Sequence, residues 1–163
     1  MIDDSRLLEN ARRYADLIGT RLRREAKLGH GTDGAVWATT RKTAIKALGW
    51  KATYQREVAA YERLAERQLT KLHGLNVPEL LGYDDELLTI EMTIVRPPFL
   101  LDFGKAYVDR QPPYWDDPQL VANAHEEWAS LFDDRWPDVV ALLGAMESMG
   151  IYYVDPRPGN IVF

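Results

Sequence analysis

Between residues 5 and 18, apolar side chains return at helical spacing (Leu7, Leu8, Ala11, Tyr14, Ala15 and Ile18), which predicts an amphipathic helix opened by Asp4 or Ser5 and closed by Gly19. The period then shortens. Residues 23–28, 34–39 and 43–48 are short runs bounded by Gly, Asp, Thr or basic residues, and they predict an antiparallel meander. From Thr53 to Leu69 the helical period returns on Val58, Tyr61, Leu64 and Ala65. Val77–Tyr83 and Leu87–Val95 then read as strands separated by the turn residues Asp84 and Asp85. Pro97-Pro98 interrupts both kinds of regular structure and is the expected boundary between two lobes. Beyond it, helices are predicted near 118–132 and 137–149, with Gly150 closing the second, followed by a strand, a polar loop and a strand over 152–163. The expected units are an N-terminal helix at 1–20, a small β-rich lobe at 21–95 and a short, mainly helical lobe at 96–163.

Composition narrows this picture. With 46% hydrophobic residues and five tryptophans in 163, the chain belongs among folded domains. The absence of cysteine excludes disulfides and thiolate-bound zinc and fits a reducing cytoplasm, the expected location. Seven charged residues within the first sixteen argue against a signal peptide, and no apolar run is long enough to span a bilayer. The net charge of −5 conceals an asymmetry: residues 1–75 hold 15 Lys+Arg against 9 Asp+Glu, and residues 76–163 hold 5 against 16. The basic face containing Arg21, Arg23, Arg24 and Lys27 accompanies no nucleic-acid motif, so neither nucleic acid nor membrane is an expected partner.

Four local patterns carry chemistry. Gly29-His-Gly31-Thr-Asp-Gly34-Ala-Val36 places three glycines at the tip of a predicted hairpin, where bare backbone can lie close to a phosphate chain. A following strand, in place of a helix, excludes the dinucleotide-binding version of this motif. Ala44-Ile45-Lys46 ends an apolar strand with a lysine on the same face as Ala44, so that its ammonium reaches phosphates beside a base resting on the alanine. Glu57, within the next helix, is placed to ion-pair with Lys46, with Glu62 as a competitor. Asp155-Pro-Arg157-Pro-Gly-Asn160 combines a carboxylate for an attacking hydroxyl, a cation and an amide oxygen suited to a hard metal ion. Each pattern is also ordinary turn, edge-strand or surface chemistry, and it is their joint order that distinguishes them.

That order resembles the protein-kinase-like superfamily of protein kinases and aminoglycoside or choline kinases, over roughly residues 22–163. The resemblance implies an α+β fold with a small antiparallel N-lobe sheet, one main helix and an incomplete helical C-lobe. It implies ATP and Mg2+ as cofactors and an unidentified hydroxyl acceptor, small molecule or protein. In it Gly29, Gly31, Gly34, Val36 and Ala44 surround the nucleotide, and Lys46 and Glu57 place its phosphates. The backbone from Glu91 through Met92 to Thr93 meets the adenine. Asp155 is the base, Arg157 faces the γ-phosphate and Asn160 is the metal ligand.

The resemblance has departures. Tyr153 and Val154 stand where protein kinases carry His-Arg, which removes the arginine that reads a phosphorylated activation loop. The family order places an Asp-Phe-Gly turn after the catalytic loop, whereas Phe163 ends the sequence three residues after Asn160. Asp102-Phe103-Gly104 precedes that loop and reads as coincidence. The sequence is expected to be a fragment of a longer kinase or a reduced kinase-like protein whose metal binding is lost or rearranged; functionally, the first expectation is a phosphotransferase and the second a non-catalytic pseudokinase-type module. The second would associate, with itself or a partner, through apolar surface left exposed at Ile161-Val162-Phe163.

Overall fold

The computed structural model describes residues 4–163, apart from the side chains of residues 24–26. Helix α1 (Asp4–Leu17) ends where Gly19 adopts φ +71. Strands β1 (Leu22–His30), β2 (Gly34–Thr39) and β3 (Thr43–Leu48) follow as the expected meander, then helix α2 (Lys51–Glu66). Next come the two-residue strands β4 (Lys71–Leu72) and β5 (Leu75–Asn76), and the longer β6 (Leu80–Asp84) and β7 (Thr89–Thr93). The five longer strands form one antiparallel sheet in the order β1-β2-β3-β7-β6.

Alternation along β3 builds two cores from one strand. Ala44 and Leu48 face α2 and join a large cluster with Tyr54, Tyr61, Ile90 and Met92, whereas Ile45 and Ala47 face α1 and pack with Leu7, Ala11, Tyr14 and Trp37. The large cluster continues through Leu100, Phe103, Leu142 and Ile161, so the expected lobes share a core across the Pro97-Pro98 break.

Beyond that break lie β8 (Phe99–Leu100), β9 (Tyr107–Val108), helices α3 (Pro118–Phe132) and α4 (Trp136–Glu147), β10 (Ile151–Tyr152) and β11 (Ile161–Val162). Helix α3 starts where Asp117 accepts the Gln119 and Leu120 amides, with Pro118 in the first turn, where no N–H is needed. Gly150 stands after α4 with φ +80, as its predicted stop.

Several boundaries differ from the sequence reading by a few residues, α2 ending at Glu66 and β7 spanning only Thr89–Thr93. The strand predicted from Val77 begins at Leu80, because the Val77 amide donates to the Thr70 carbonyl and Pro78 has no N–H for a ladder. Residues 96–117, for which the sequence predicted no element, carry β8 and β9. Each is two residues long and is stabilised by a partner far along the chain: β8 pairs antiparallel with β11, and β9 antiparallel with β10. These pairings set the loop between β8 and β9, residues 101–106, against the loop between β10 and β11, residues 153–160.

Candidate functional site

Lys46 follows the inward-facing Ala44 on β3, so its side chain passes beneath the sheet toward α2. Its Nζ donates to Glu57 Oε1 at 2.8 Å, lies 2.7 Å from Glu57 Oε2, and donates to Asp102 Oδ1 at 3.1 Å. Burial alone would push the Lys46 ammonium down, but the carboxylates of Glu57 and Asp102 more than reverse this, so it stays charged well above the ordinary lysine range. Burial raises Glu57, and Lys46 opposes the rise. Glu62, the competing helical glutamate, instead accepts from the Tyr83 hydroxyl at 2.8 Å, so it is Glu57 that meets Lys46.

Asp102, which sequence reasoning set aside as coincidence, lies beside Lys46. Burial works against its charge, but Lys46, the Gly104 amide and Arg157 hold its carboxyl below the usual range. It adopts φ +62, and the Gly104 amide donates to its Oδ1 at 3.3 Å. Phe103 is fully buried between Tyr61 of α2 and Tyr153, with edge-on ring contacts at 5.1 and 5.5 Å. Gly104 lies against α2 so closely that a β-carbon would sit 2.6 Å from Thr53 Cγ2 and 3.4 Å from Glu57 Oε2. The whole Asp-Phe-Gly turn is thus seated on the helix that carries Glu57.

The second loop closes over this turn. Tyr153 donates its hydroxyl to the Leu101 carbonyl at 2.7 Å, and the Leu101 amide donates to the Asn160 carbonyl at 2.8 Å, which makes Asp102 and Asn160 neighbours. Asn160 is buried and points Nδ2 at the Asp155 carbonyl, 3.1 Å, and at Asp155 Oδ2, 3.3 Å. That commits the amide nitrogen and leaves Oδ1 as the oxygen to present to a ligand. Asp155 Oδ2 also receives Arg157 Nη2 at 2.8 Å and Lys105 Nζ at 3.3 Å.

Three carboxylates (Glu57, Asp102 and Asp155) and three cations (Lys46, Lys105 and Arg157) therefore converge from strand β3, helix α2 and two facing loops. A search of protein-family models finds no match, nor does one of curated proteins. Among solved structures, the streptomycin–ATP–APH(2″)-IIa ternary complex is similar over 83% of this chain and 40% of its own, at 14% identity and a TM-score of 0.41. The present chain thus spans less than half the length of that protein. The functional reading rests on the side-chain geometry.

The hairpin residues are arranged unequally. Gly29 and Gly31 have open space where a β-carbon would stand, whereas Gly34 is required by the fold itself, since a β-carbon there would run into the Ala47 carbonyl. Val36 packs against the same cluster as Ala44. In β7, Met92 shares that cluster, but Glu91 turns to the α1 side, pairs with Ile45 and Gly82, and accepts from Thr43 Oγ1 at 2.7 Å. The Thr93 amide donates to the Glu79 carbonyl at 3.0 Å. The Glu91 side chain and the Thr93 amide are thereby engaged within the sheet.

The apolar tail is covered unequally, and Phe163 is 39% exposed. Ile161 is buried against Leu100, and the Arg135 guanidinium lies 5.0 Å above the ring of Phe163. A surface recess of about 390 Å³, lined by Asp16, Gly19, Thr20, Arg21 and Thr40, lies at the C-terminal end of α1. It does not coincide with the charged cluster, and the cluster is the better guide because buried charges must be matched in place to persist. No described helix is long and apolar enough to cross a membrane.

Sequence reasoning set Asp102 aside and did not single out Lys105. The available signal was the apolar run Phe99-Leu100-Leu101 ahead of Asp102 and Tyr107-Val108 after it, two strand-like pieces that mirror those around Asp155. Local order concealed it, because the partners of these strands come later in the chain.

Proposed function

We propose that this chain binds ATP beneath the glycine hairpin and transfers the γ-phosphoryl group to a hydroxyl acceptor. The observation that carries this reading is the placement of Lys46 between Glu57 and Asp102, with Asp102 joined through Leu101 to Asn160 and hence to Asp155. A buried lysine held by two carboxylates is an arrangement for fixing a cation at one point, and Lys46 pairs in the sheet with Val36, itself the partner of Gly29 in a hairpin whose Gly29 and Gly31 have open space beside them.

The donor set also fits magnesium. Among the described residues there is no cluster of three or more His, Cys, Asp or Glu suited to a metal, but magnesium bound with nucleotide needs only one or two protein oxygens besides phosphates and water. Asp102 supplies a carboxylate whose side chain is 38% exposed, and Asn160 supplies its Oδ1 from the paired loop. When bound, the ion neutralises charge on the β- and γ-phosphates.

The protein's own part is positioning and proton handling. Lys46 holds the phosphates. Asp155, its Oδ2 tied by Arg157, Lys105 and Asn160, keeps Oδ1 for the acceptor and takes the hydroxyl proton. The acceptor oxygen bonds to the γ-phosphorus, the bond from that phosphorus to the β–γ bridging oxygen breaks, and ADP leaves. Arg157, about half exposed, offsets the charge that develops on the transferred group.

Thermal melting with and without Mg-ATP, combined with measured ADP release, tests the reading. Wild type should melt higher with Mg-ATP, and Asp155→Asn should keep that shift while ADP release falls by about 10²-fold or more. A wild-type protein indifferent to Mg-ATP would overturn it.

A further inference from the structure

Helix α2 carries Glu57, so whatever fixes α2 fixes Lys46. Six residues on, Arg63 leaves the same helix and grips Asp109 with both guanidinium nitrogens, Nη1 to Oδ1 at 2.9 Å and Nη2 to Oδ2 at 2.6 Å. The same Nη1 donates to the Met149 carbonyl at 2.5 Å, and Nε lies 3.4 Å from Glu66. Asp109 directly follows β9 with φ +58, and its amide donates to the Gly150 carbonyl at 2.8 Å. Gly150 itself makes room: a β-carbon there would stand 2.6 Å from Asp109 Oδ1 and 2.8 Å from Arg63 Nη1.

Three segments therefore meet at one guanidinium. Strand β9 begins just after Asp102-Phe103-Gly104, and β10 ends just before Tyr153-Val154-Asp155. A second tie runs parallel to the first, the Arg56 guanidinium lying 4.5 Å above the ring of Tyr107 in β9. Ion pairs with a partner as exposed as Asp109, at 66%, contribute little net stability, whereas two-point guanidinium–carboxylate contact fixes orientation strongly. Geometry is thus the larger effect here.

We propose that Arg63 is a positioning residue that locks α2 to the β9–β10 pair, setting Glu57, the Asp102 turn and the Asp155 loop as one rigid unit. This rests on the phosphotransferase reading for its consequence, but not for its mechanics. Arg63 touches none of the reacting groups and acts through Glu57 and the two strands. The helix is held inward by the chain's own residues, so assembly of the site needs no modification of a separate loop.

The test compares wild type with Arg63→Ala, Arg63→Lys and Asp109→Asn. Arg63→Ala should melt within a few degrees of wild type and keep its Mg-ATP shift and its KM for ATP within about 3-fold, while kcat for ADP release falls by about 10-fold or more. Low millimolar guanidinium should restore part of that loss in Arg63→Ala and nothing in wild type, and Arg63→Lys should fall between. Hydrogen exchange of the unliganded proteins supplies a readout independent of turnover. Arg63→Ala should speed exchange in α2 near Glu57, in 101–106 and in 151–155 together. Unchanged kcat, a loss that merely tracks the unfolded fraction, or faster exchange confined to the immediate neighbours of Arg63 would each overturn the proposal. An absent Mg-ATP shift in wild type would sink the phosphotransferase reading instead, and exchange would still decide the clamp.

Discussion

Lys46 and Asp102, 56 positions apart, meet at 3.1 Å beneath the sheet, on the side where Glu57 completes the lysine's pairing. The contact joins the β-rich part of the chain to a turn that lies ahead of the Asp155 loop in sequence and beside it in space. If Asp102 supplies the metal carboxylate, Asp102→Asn keeps the shape of the turn and removes its charge. ADP release should then fall by about 10²-fold or more, and the thermal shift given by ATP should lose its dependence on magnesium. A variant whose shift still responds to magnesium like wild type would place the metal elsewhere.

Gly104 tests whether the turn must touch α2. A β-carbon at this position meets Thr53 Cγ2 at 2.6 Å, so Gly104→Ala should force the helix and turn apart and cost about 1–3 kcal/mol of stability. Thr53→Ser removes that methyl group while keeping the hydroxyl. The double variant Gly104→Ala with Thr53→Ser should regain most of the stability in urea unfolding, whereas additive losses would show that the close approach is not the cause.

How far the site was legible depends on how local each signal is. Lys46 and Glu57 lie 11 residues apart, joined by one strand and one helix, and their pairing follows from strand alternation and helix position. Asn160 and Asp155 share one loop. The placement of Asp102 was hidden because it comes from the pairings Leu100 with Ile161 and Val108 with Ile151, across stretches of chain that no periodicity connects. The Asp-Phe-Gly string precedes the Asp155 loop in sequence, but strand pairing is indifferent to chain order and puts the turn beside that loop. The sheet was readable from its alternation and turns, whereas the two-residue strands β8 to β11 depend entirely on distant partners.

Acid should destabilise the protein through specific carboxylates. Asp102 is held below its ordinary value of 3.8 chiefly by Lys46, against the effect of burial, and Asp109 is lowered by Arg63. A carboxyl that binds its proton less readily when folded contributes stability above about 3.8, and that contribution disappears as the pH falls through its folded value. Glu57, raised by burial, acts in the opposite sense: its ionisation costs stability as pH rises above 4.5 toward its folded value. Urea midpoints measured from pH 5 down to about 2 should fall less steeply for Asp102→Asn than for wild type. An identical slope would show that Lys46 does not hold the Asp102 charge.

Lys105 offers the sharpest separation of binding from chemistry. Its Nζ lies 3.3 Å from Asp155 Oδ2, while its side chain is 44% exposed, so it borders the region where the acceptor would enter and leaves Lys46 undisturbed. Arg157 already holds the same oxygen at 2.8 Å, so losing Lys105 should leave Asp155 in place but less firmly oriented. Lys105→Met, which keeps the aliphatic stem and discards the charge, should lower kcat for ADP release by about 3- to 30-fold with little change in the Mg-ATP thermal shift. Arg157→Met should cost more, because its contact is shorter and its guanidinium also acts on Asp102. If Lys105→Met weakened the nucleotide shift and left kcat intact, Lys105 would belong to the phosphate site, and the carboxylate of Asp155 would depend on Arg157 and Asn160 for its orientation.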